Sequence, residues 1–397
     1  MAQPTPAVEC RVTEYRNAKG MTQETLATAC GLTRQAISQI EAGTYYPNSL
    51  AALRLARALG CRVEDLFVLP EDEPSCQVRM IQGAKETAAR INVVRVRNRW
   101  LGYPLTVGRP LAGGFAGADA LVDSKTRSVR ARLLLPKEQI ERTALLVGCD
   151  PGLGILLTHV ERQNRDVRLL WLSASSQAAL DAVRRGEAHM AGTHLPELEP
   201  GENLRRAARA LGKQGGLVVA FVRWEQGLMV RAGNPKGVKV AADLARSDVR
   251  LINREPGSGS RAILDELLRK GRVPRKKVQG YGTITYSHLS VAHAVRFGGA
   301  DVGVGLRAVA HACELDFIPL TDARFDFVIP RDALEHPAVA VMLDLLQSQK
   351  LRSELSILRG YDVSCMGSVI ADLAPSSTRV LSTCQRSPLA AVSPRTP

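Results

Sequence analysis

One stretch of the chain leaves little freedom in how it folds: TQETLATACGLTRQAISQIEAG, residues 22–43. Its apolar residues recur at helical spacing in two short runs parted by Gly31. Thr22 is placed to N-cap the first run, which puts Leu26, Ala27 and Cys30 on one apolar face. Ala27 is small where a second helix must cross closely. Gly31 supplies a tight turn, because glycine tolerates left-handed backbone, and Leu32 plugs the core behind it. Thr33 then caps a second helix whose Ile37 and Ile40 point inward at i, i+3. Gly20, Gly31, Gly43 and Gly60 each sit where a helix should end. Farther on, SLAALRLARALG predicts a fourth helix with Leu50, Leu53, Ala56 and Leu59 inward, and VEDLF closes the bundle.

With the inward positions assigned, Arg34, Gln35, Ser38 and Gln39 are left facing outward at the N-terminal end of the second helix, beside its cap Thr33. These polar side chains are of the kinds that hydrogen-bond base edges in the major groove. Gln23, at the start of the first helix, can fix the register by bonding a phosphate. An exposed Arg-Gln pair has no role in a core. The run resembles the Cro/repressor (XRE) helix-turn-helix family throughout residues 8–67, including the IEAGTYYPNSLAALRLARALG continuation. That resemblance implies a DNA-binding domain over residues 8–69 whose partner is a double-stranded operator. A homodimer is expected, because one recognition helix covers only a few base pairs.

Charge alone assigns nothing more. The chain carries a net +14, yet residues 1–70 hold 7 basic and 6 acidic side chains, while residues 144–280 hold 23 and 14. The excess lies outside the helix-turn-helix, where it suits an anionic ligand or secondary contact with a DNA backbone. The eight cysteines are scattered without a CxxC pair, which argues against a zinc knuckle or disulfide scaffold and suggests reduced thiols in a cytoplasm. The first residues lack an apolar signal-peptide core, and no stretch approaches the ~20 apolar residues of a membrane span. A cytoplasmic protein without a membrane partner is expected.

The remainder divides by pattern. Residues 70–77, PEDEPSCQ, read as a linker. Residues 78–142 alternate apolar and polar in short runs broken by GGFAG, which predicts a small antiparallel β module. From residue 143 to 363 strands and helices alternate, beginning ALLVGCD, GILLTHVERQ, VRLLWLSAS, AALDAVRRG. Such alternation makes a mostly parallel, doubly wound sheet. Residues 368–397 are rich in Ser, Pro and Thr and are expected to be a disordered tail. The fold class is therefore multidomain: an all-α N-terminal domain, a small β module and a large α/β domain.

Within the α/β domain, NREPGSGSR places a strand end against a helix start, so free backbone N–H groups and a positive helix end are available there. Gly257 and Gly259 allow close backbone approach, Ser258 and Ser260 add hydroxyls, and Arg254 or Arg261 can supply charge. A second junction is SASSQ, where Ser175 or Ser176 caps the following helix. Opposed helix N-termini with serines suit a tetrahedral oxyanion. Asp150 would repel an anion unless it caps the helix of GLGILLTHV; both readings stay open. His189, His194 or His288 could contact ligand, with His194 retained as a site residue, and Glu225 beside Trp224 could hydrogen-bond a larger ligand.

Five segments, GCDPGLG, SSQAALDAVRRGEAHMAGTHL, RWEQGLMVRAGNPKGV, NREPGSGSRAILDELL and HLSVAHAVRFGGADVGVGL, are similar to the type 2 periplasmic-binding-protein fold. The branch is the one found fused to helix-turn-helix domains and to molybdopterin-biosynthesis proteins. The resemblance implies two lobes, a cleft that closes on a ligand, and molybdate or tungstate as the first candidate effector. No Walker loop, GxGxxG, HExxH or nucleophile elbow is legible, so neither catalytic residues nor resident metal ligands are expected. The sequence thus predicts a non-enzymatic, ligand-responsive transcriptional regulator. Its rivals are a repressor with a non-sensing dimerisation domain and an intracellular oxyanion-storage protein.

Overall fold

The computed structural model describes residues 8–68, 75–81, 89–105, 116–122, 128–194, 202–374 and 377–380. The chain forms two compact units, residues 1–75 and 76–397.

The first unit is five helices: α1 (Val12–Ala18), α2 (Gln23–Cys30), α3 (Arg34–Glu41), α4 (Ser49–Leu59) and α5 (Val63–Leu66). A two-strand ribbon, β1 (Glu9–Cys10) with β2 (Phe67–Val68), ties its ends together. Thr22, Thr33 and Asn48 each accept a hydrogen bond from the backbone N–H three residues on, as N-caps do. Gly31 and Gly60 end α2 and α4 in left-handed backbone, with φ of 64° and 65°. Val12, Leu26, Ile37, Ile40, Leu55, Leu59 and Leu66 fill the core. One expectation fails within α4. Leu50 and Leu53 are 58% and 60% exposed, and the inward stripe is Ala51, Ala52, Leu55, Ala56 and Leu59. Leu55, not Leu53, packs into the core with Ala56 and Leu59, so the buried face is turned away from the one read in the sequence.

The second unit opens with a closed five-stranded barrel, β3 (Ser75–Met80), β4 (Arg90–Val96), β5 (Arg99–Pro104), β6 (Ala120–Val122) and β7 (Ser128–Leu133), in the order β3-β5-β4-β6-β7. The β module is therefore not purely antiparallel: β3 runs parallel to β5. Its first strand also takes in residues 75–77, the end of the expected linker; residues 70–74 and the GGFAG glycines before Gly117 lie outside the described residues. A short helix, α6 (Lys137–Glu141), leads out of the barrel. Buried Asp119 binds the barrel to the sheet behind it, taking both guanidinium nitrogens of Arg168 at 2.7 Å and the Val93 N–H at 2.9 Å.

The rest is a two-lobed α/β fold. The first lobe contains β8 (Thr143–Gly148), α7 (Leu153–Gln163), β9 (Arg168–Ser173), α8 (Ser176–Arg184), β10 (Met190–Thr193) and α9 (Glu202–Leu211). A long strand, β11 (Gly216–Arg231), then crosses to the second lobe. That lobe contains β12 (Leu251–Arg254), α10 (Gly259–Lys270), β13 (Ile284–Thr285), α11 (His288–Arg296), β14 (Val302–Leu306) and α12 (Arg307–Ala312). A second long strand, β15 (Leu315–Pro330), returns to the first lobe, which α13 (Pro337–Leu345), α14 (Gln349–Ser356) and β16 (Tyr361–Asp362) complete. The sheet order β13-β12-β14-β11-β15-β10-β8-β9 is parallel within each lobe and antiparallel at the two crossing strands. Two register shifts in the β11–β15 ladder, at Ala220/Val222 and Gln226/Gly227, bracket Trp224 where the strands pass between lobes.

Two further expectations are corrected. The start of the tail is structured: β17 (Val369–Ala374) pairs with β11, and β18 (Ser377–Val380) pairs with β17. Apolar Val369, Ile370, Ala371 and Leu373 give this segment something to bury, which the Ser/Pro/Thr average over 368–397 conceals. Residues 381–397 lie outside the described residues. Among the described residues six cysteines are free, as expected of reduced thiols, but Cys365 is disulfide-bonded.

Candidate functional site

In the first unit, Thr33, Arg34, Gln35, Ser38 and Gln39 are all exposed on α3, while Ile37 and Ile40 are buried beneath them. This is the face read from the sequence. Gln23 is held rather than free-standing: its amide donates to Glu41 Oε2 at 2.9 Å. Arg16 completes the cluster, with Nε 2.6 Å from Glu41 Oε1 and Nη1 2.8 Å from the Met21 carbonyl. Burial pushes the Glu41 carboxyl up, but the hydrogen bonds from Arg16 and Gln23 outweigh it and hold the group below its ordinary range. The triad locks the start of α2 against the end of α3, which fixes the angle at which the outward face of α3 is presented.

In the second unit the two serine-bearing helix starts meet. Ser175 caps α8 by accepting from the Ala178 N–H, and Ser258 caps α10 by accepting from the Arg261 N–H, each at 3.3 Å. The Gln177 N–H lies 3.4 Å from the Gly257 carbonyl, so the lobes touch across the cleft. Gly259 shows how closely they touch. A Cβ built there would stand 2.4 Å from the His194 carbonyl oxygen and 2.6 Å from its Nε2.

Behind this contact lies a buried cluster of polar and aromatic side chains that forms an interlobe chamber only in the sense that it is closed to solvent. Its members are Cys149 and Asp150 after β8, Ser176 on α8, His194 after β10, Trp224 and Gln226 on β11, Arg254 on β12, Ser260 on α10 and His288 on α11; all are buried. Trp224 is central, with its ring 5.0 Å from that of His194 and 6.2 Å from that of His288. Ser176 Oγ accepts the His194 N–H at 3.0 Å, and Gln226 Nε2 donates to Ser260 Oγ at 3.2 Å. Arg254 grips Glu255 through Nε at 2.8 Å and Nη2 at 3.0 Å. Several buried polar atoms here have no protein hydrogen-bond partner: Arg254 Nη1, Trp224 Nε1, His194 Nε2, both ring nitrogens of His288, Gln226 Oε1 and Asp150 Oδ2. Buried polar groups are normally partnered, so such a concentration singles this cluster out as the candidate site.

The electrostatics of the chamber follow from burial. Burial, then the nearby Arg254 charge, pushes His194 down to about 3. The same two causes hold His288 well below the usual imidazole range, with His194 adding to them. Both rings are therefore neutral. Burial raises Asp150 to about 7 against the opposing hydrogen bonds from Tyr361 and the Gly152 N–H.

Several expected site residues do something else. Asp150 caps the turn into α7: its Oδ1 accepts the Gly152 N–H at 2.8 Å and the Tyr361 hydroxyl at 2.5 Å. The helix α7 itself has no side-chain cap, its N-cap being Gly152, and Asp150 Oδ2 has no protein partner. Arg261 turns out of the chamber onto Tyr281, 4.9 Å from the ring centroid, and donates to the Arg254 carbonyl. Ser175 serves as a helix cap. Glu225 is ion-paired with Arg307. His189 bonds the Leu145 N–H and faces the Arg95 carbonyl, joining the first lobe to the barrel. Trp224, Gln226, Cys149 and Tyr361 were not singled out by the sequence. Strand alternation could have found the first two, since residues 224 and 226 share the face opposite Glu225.

Comparison with known proteins agrees with this architecture. Residues 12–66 match the family described as helix-turn-helix, and residues 157–347 match the PBP superfamily domain. The chain is 33% identical over 229 residues to the uncharacterized protein YvgK of Bacillus subtilis, covering 57% of this chain and 73% of that one. Its N-terminal part is 48% identical over 62 residues to an uncharacterized HTH-type transcriptional regulator of Methanothermobacter thermautotrophicus, covering 15% of this chain and 90% of that one. Among solved structures, the sulfate-binding protein SubI of Mycobacterium tuberculosis overlays 55% of this chain and 86% of its own, at 17% identity and a TM-score of 0.41. The chain belongs to the family that includes YvgK, with a PBP superfamily domain, and its N-terminal unit belongs to the helix-turn-helix family.

Proposed function

We propose that the protein is a transcriptional regulator that binds an operator as a homodimer and responds to a small oxyanion, molybdate or tungstate first, held between its lobes. The DNA-binding part is supported by the exposed polar face of α3 and by relatives named as HTH-type transcriptional regulators. The observation that carries the ligand part is the convergence of unpartnered donors on one buried chamber, above all Arg254 Nη1 and Trp224 Nε1. Ser258 and Ser260 accept hydrogen bonds from the protein, which leaves their hydroxyl protons to turn toward a ligand, while Ser176 Oγ accepts the His194 N–H and lies 3.3 Å from His194 Nδ1. Cys149, whose Sγ lies 3.2 Å from His194 Nδ1, is pushed up to about 12 by burial, which supports reading it as an inert thiol.

Calorimetry of the full chain with molybdate, tungstate, sulfate and phosphate tests the ligand. Arg254→Ala and Ser260→Ala should each weaken binding by roughly 1.5–3 kcal/mol, the worth of a hydrogen bond to a charged group. Arg34→Ala and Gln35→Ala should each lose roughly 1–3 kcal/mol of operator affinity and relax base preference in footprinting. Unchanged oxyanion heats in the chamber variants would move the ligand elsewhere; unchanged footprints would remove α3 as the reading helix.

A further inference from the structure

We infer that the chamber also holds a transition-metal site, made by Cys149, His194 and His288, suited to a borderline or soft cation such as zinc(II) or copper(I). Three separate elements bring these side chains together: the loop after β8, the end of β10 and the first turn of α11. Cys149 Sγ lies 3.2 Å from His194 Nδ1, and one ligand atom from each residue lies within 4.8 Å of the others. All three side chains are buried. His288 carries the argument furthest, because neither of its ring nitrogens has a protein partner although the residue is only 1% exposed. A fully buried imidazole with no hydrogen bond on either side is costly, and metal coordination satisfies one nitrogen directly.

The donor set chooses the metal. One sulfur and two imidazole nitrogens favour zinc(II) or copper(I) over magnesium or calcium, which need oxygen ligands. Neutral imidazole is the ligating form. The thiol must give up its proton as the sulfur–metal bond forms. One proton therefore passes to solvent for each metal taken up, and no electrons move. Three protein ligands leave a fourth tetrahedral position open, as in sites that bind an exogenous group. Trp224 Nε1 and Arg254 Nη1 are the nearby donors for such a group. Glu255 offsets the Arg254 charge beside the cation through its two-point bond.

The site rests on different atoms from the oxyanion reading, and either can fail without the other. The test uses metal alone. The reduced full chain is titrated with cobalt(II) as a spectroscopic stand-in and then with zinc(II) as competitor, no oxyanion being present. A thiolate-to-cobalt charge-transfer band that saturates at one equivalent, with release of one proton, is expected. Cys149→Ser should abolish the band. His288→Gln should weaken metal binding by more than the roughly 10–100-fold that loss of a second-sphere partner costs. Circular dichroism on each variant checks that it is folded, and zinc-dependent thermal stabilisation of the parent, absent from folded His288→Gln, gives a second readout. A band that persists in Cys149→Ser, or no band and no zinc stabilisation in the parent, overturns the inference.

Discussion

Replacing Gly259 by alanine separates lobe contact from lobe stability. Gly259 is the first residue of α10, and its added methyl would meet the backbone oxygen of His194 at 2.4 Å. A rotamer change could move the His194 ring but not its carbonyl. Overpacking of this kind costs about 1–3 kcal/mol, and here it falls only on the arrangement in which the lobes touch. Against it stands the gain of alanine over glycine in a helix, up to about 1 kcal/mol, which acts whether the lobes touch or not. The two effects therefore part company. The thermal midpoint of Gly259→Ala should hold or rise slightly, while the contact between α8 and α10 loosens by a factor of roughly 5–150. Hydrogen exchange reads this directly at the Gln177 N–H, which faces the Gly257 carbonyl. Gly154→Ala is the control, since nothing lies within 4 Å of a Cβ there. It should gain helix stability and leave exchange at Gln177 unchanged. Equal exchange at Gln177 in parent and Gly259→Ala would refute the reasoning.

The remaining predictions concern stability. Burial, then the neighbouring His336, holds His189 at about 3 against an ordinary 6.5. Because the folded value lies below the unfolded one, the unfolded chain takes up the extra proton first, and stability falls as pH drops from 6.5 toward 3. In denaturant titrations His189→Asn should flatten that fall by about 1.4 kcal/mol per pH unit, and an unchanged slope would show that His189 charges freely in the fold. In α4, Leu55→Ala should cost roughly 2–5 kcal/mol, whereas Leu53→Gln should stay within about 0.5 kcal/mol. Equal losses would restore the hydrophobic stripe read from the sequence.

Much of the helix-turn-helix was legible because its signals are local. Thr22, Gly31 and Thr33 act on neighbours within a turn, and Ile37 and Ile40 repeat at helical spacing. The α4 stripe differs from the sequence reading because four leucines and four alanines in eleven residues fit two adjacent faces almost equally well. In the α/β domain the junctions at Ser175 and Ser258 were legible for the same local reason. The chamber behind them was not. Cys149, His194 and His288 lie on different elements, and only the crossing of β11 and β15 brings Trp224 between them. Arg254 and Arg261 looked alike in the sequence, seven residues apart, until Tyr281 claimed one and Glu255 the other.

The unpartnered atoms of the chamber also say what a ligand must do to act as an effector. When the lobes touch, Arg254 Nη1, Trp224 Nε1 and the His288 nitrogens are cut off from water and from protein partners alike. Each such group costs roughly 1–3 kcal/mol when left bare, and water relieves that cost if the lobes part. Closure without a ligand is therefore opposed by the chamber itself. A ligand that satisfies two of these groups relieves roughly 2–6 kcal/mol in the closed arrangement alone, which is the differential affinity that shifts a population. Tight binding to either lobe separately would shift nothing, however strong. The same reasoning sets selectivity. Arg254 Nη1 and Trp224 Nε1 can only donate, so an anion of suitable size satisfies both, whereas a neutral isostere without acceptor oxygens leaves them bare. Discrimination against such a molecule comes from the buried groups it fails to meet, Arg254 on the second lobe and Trp224 on the strand that joins the lobes.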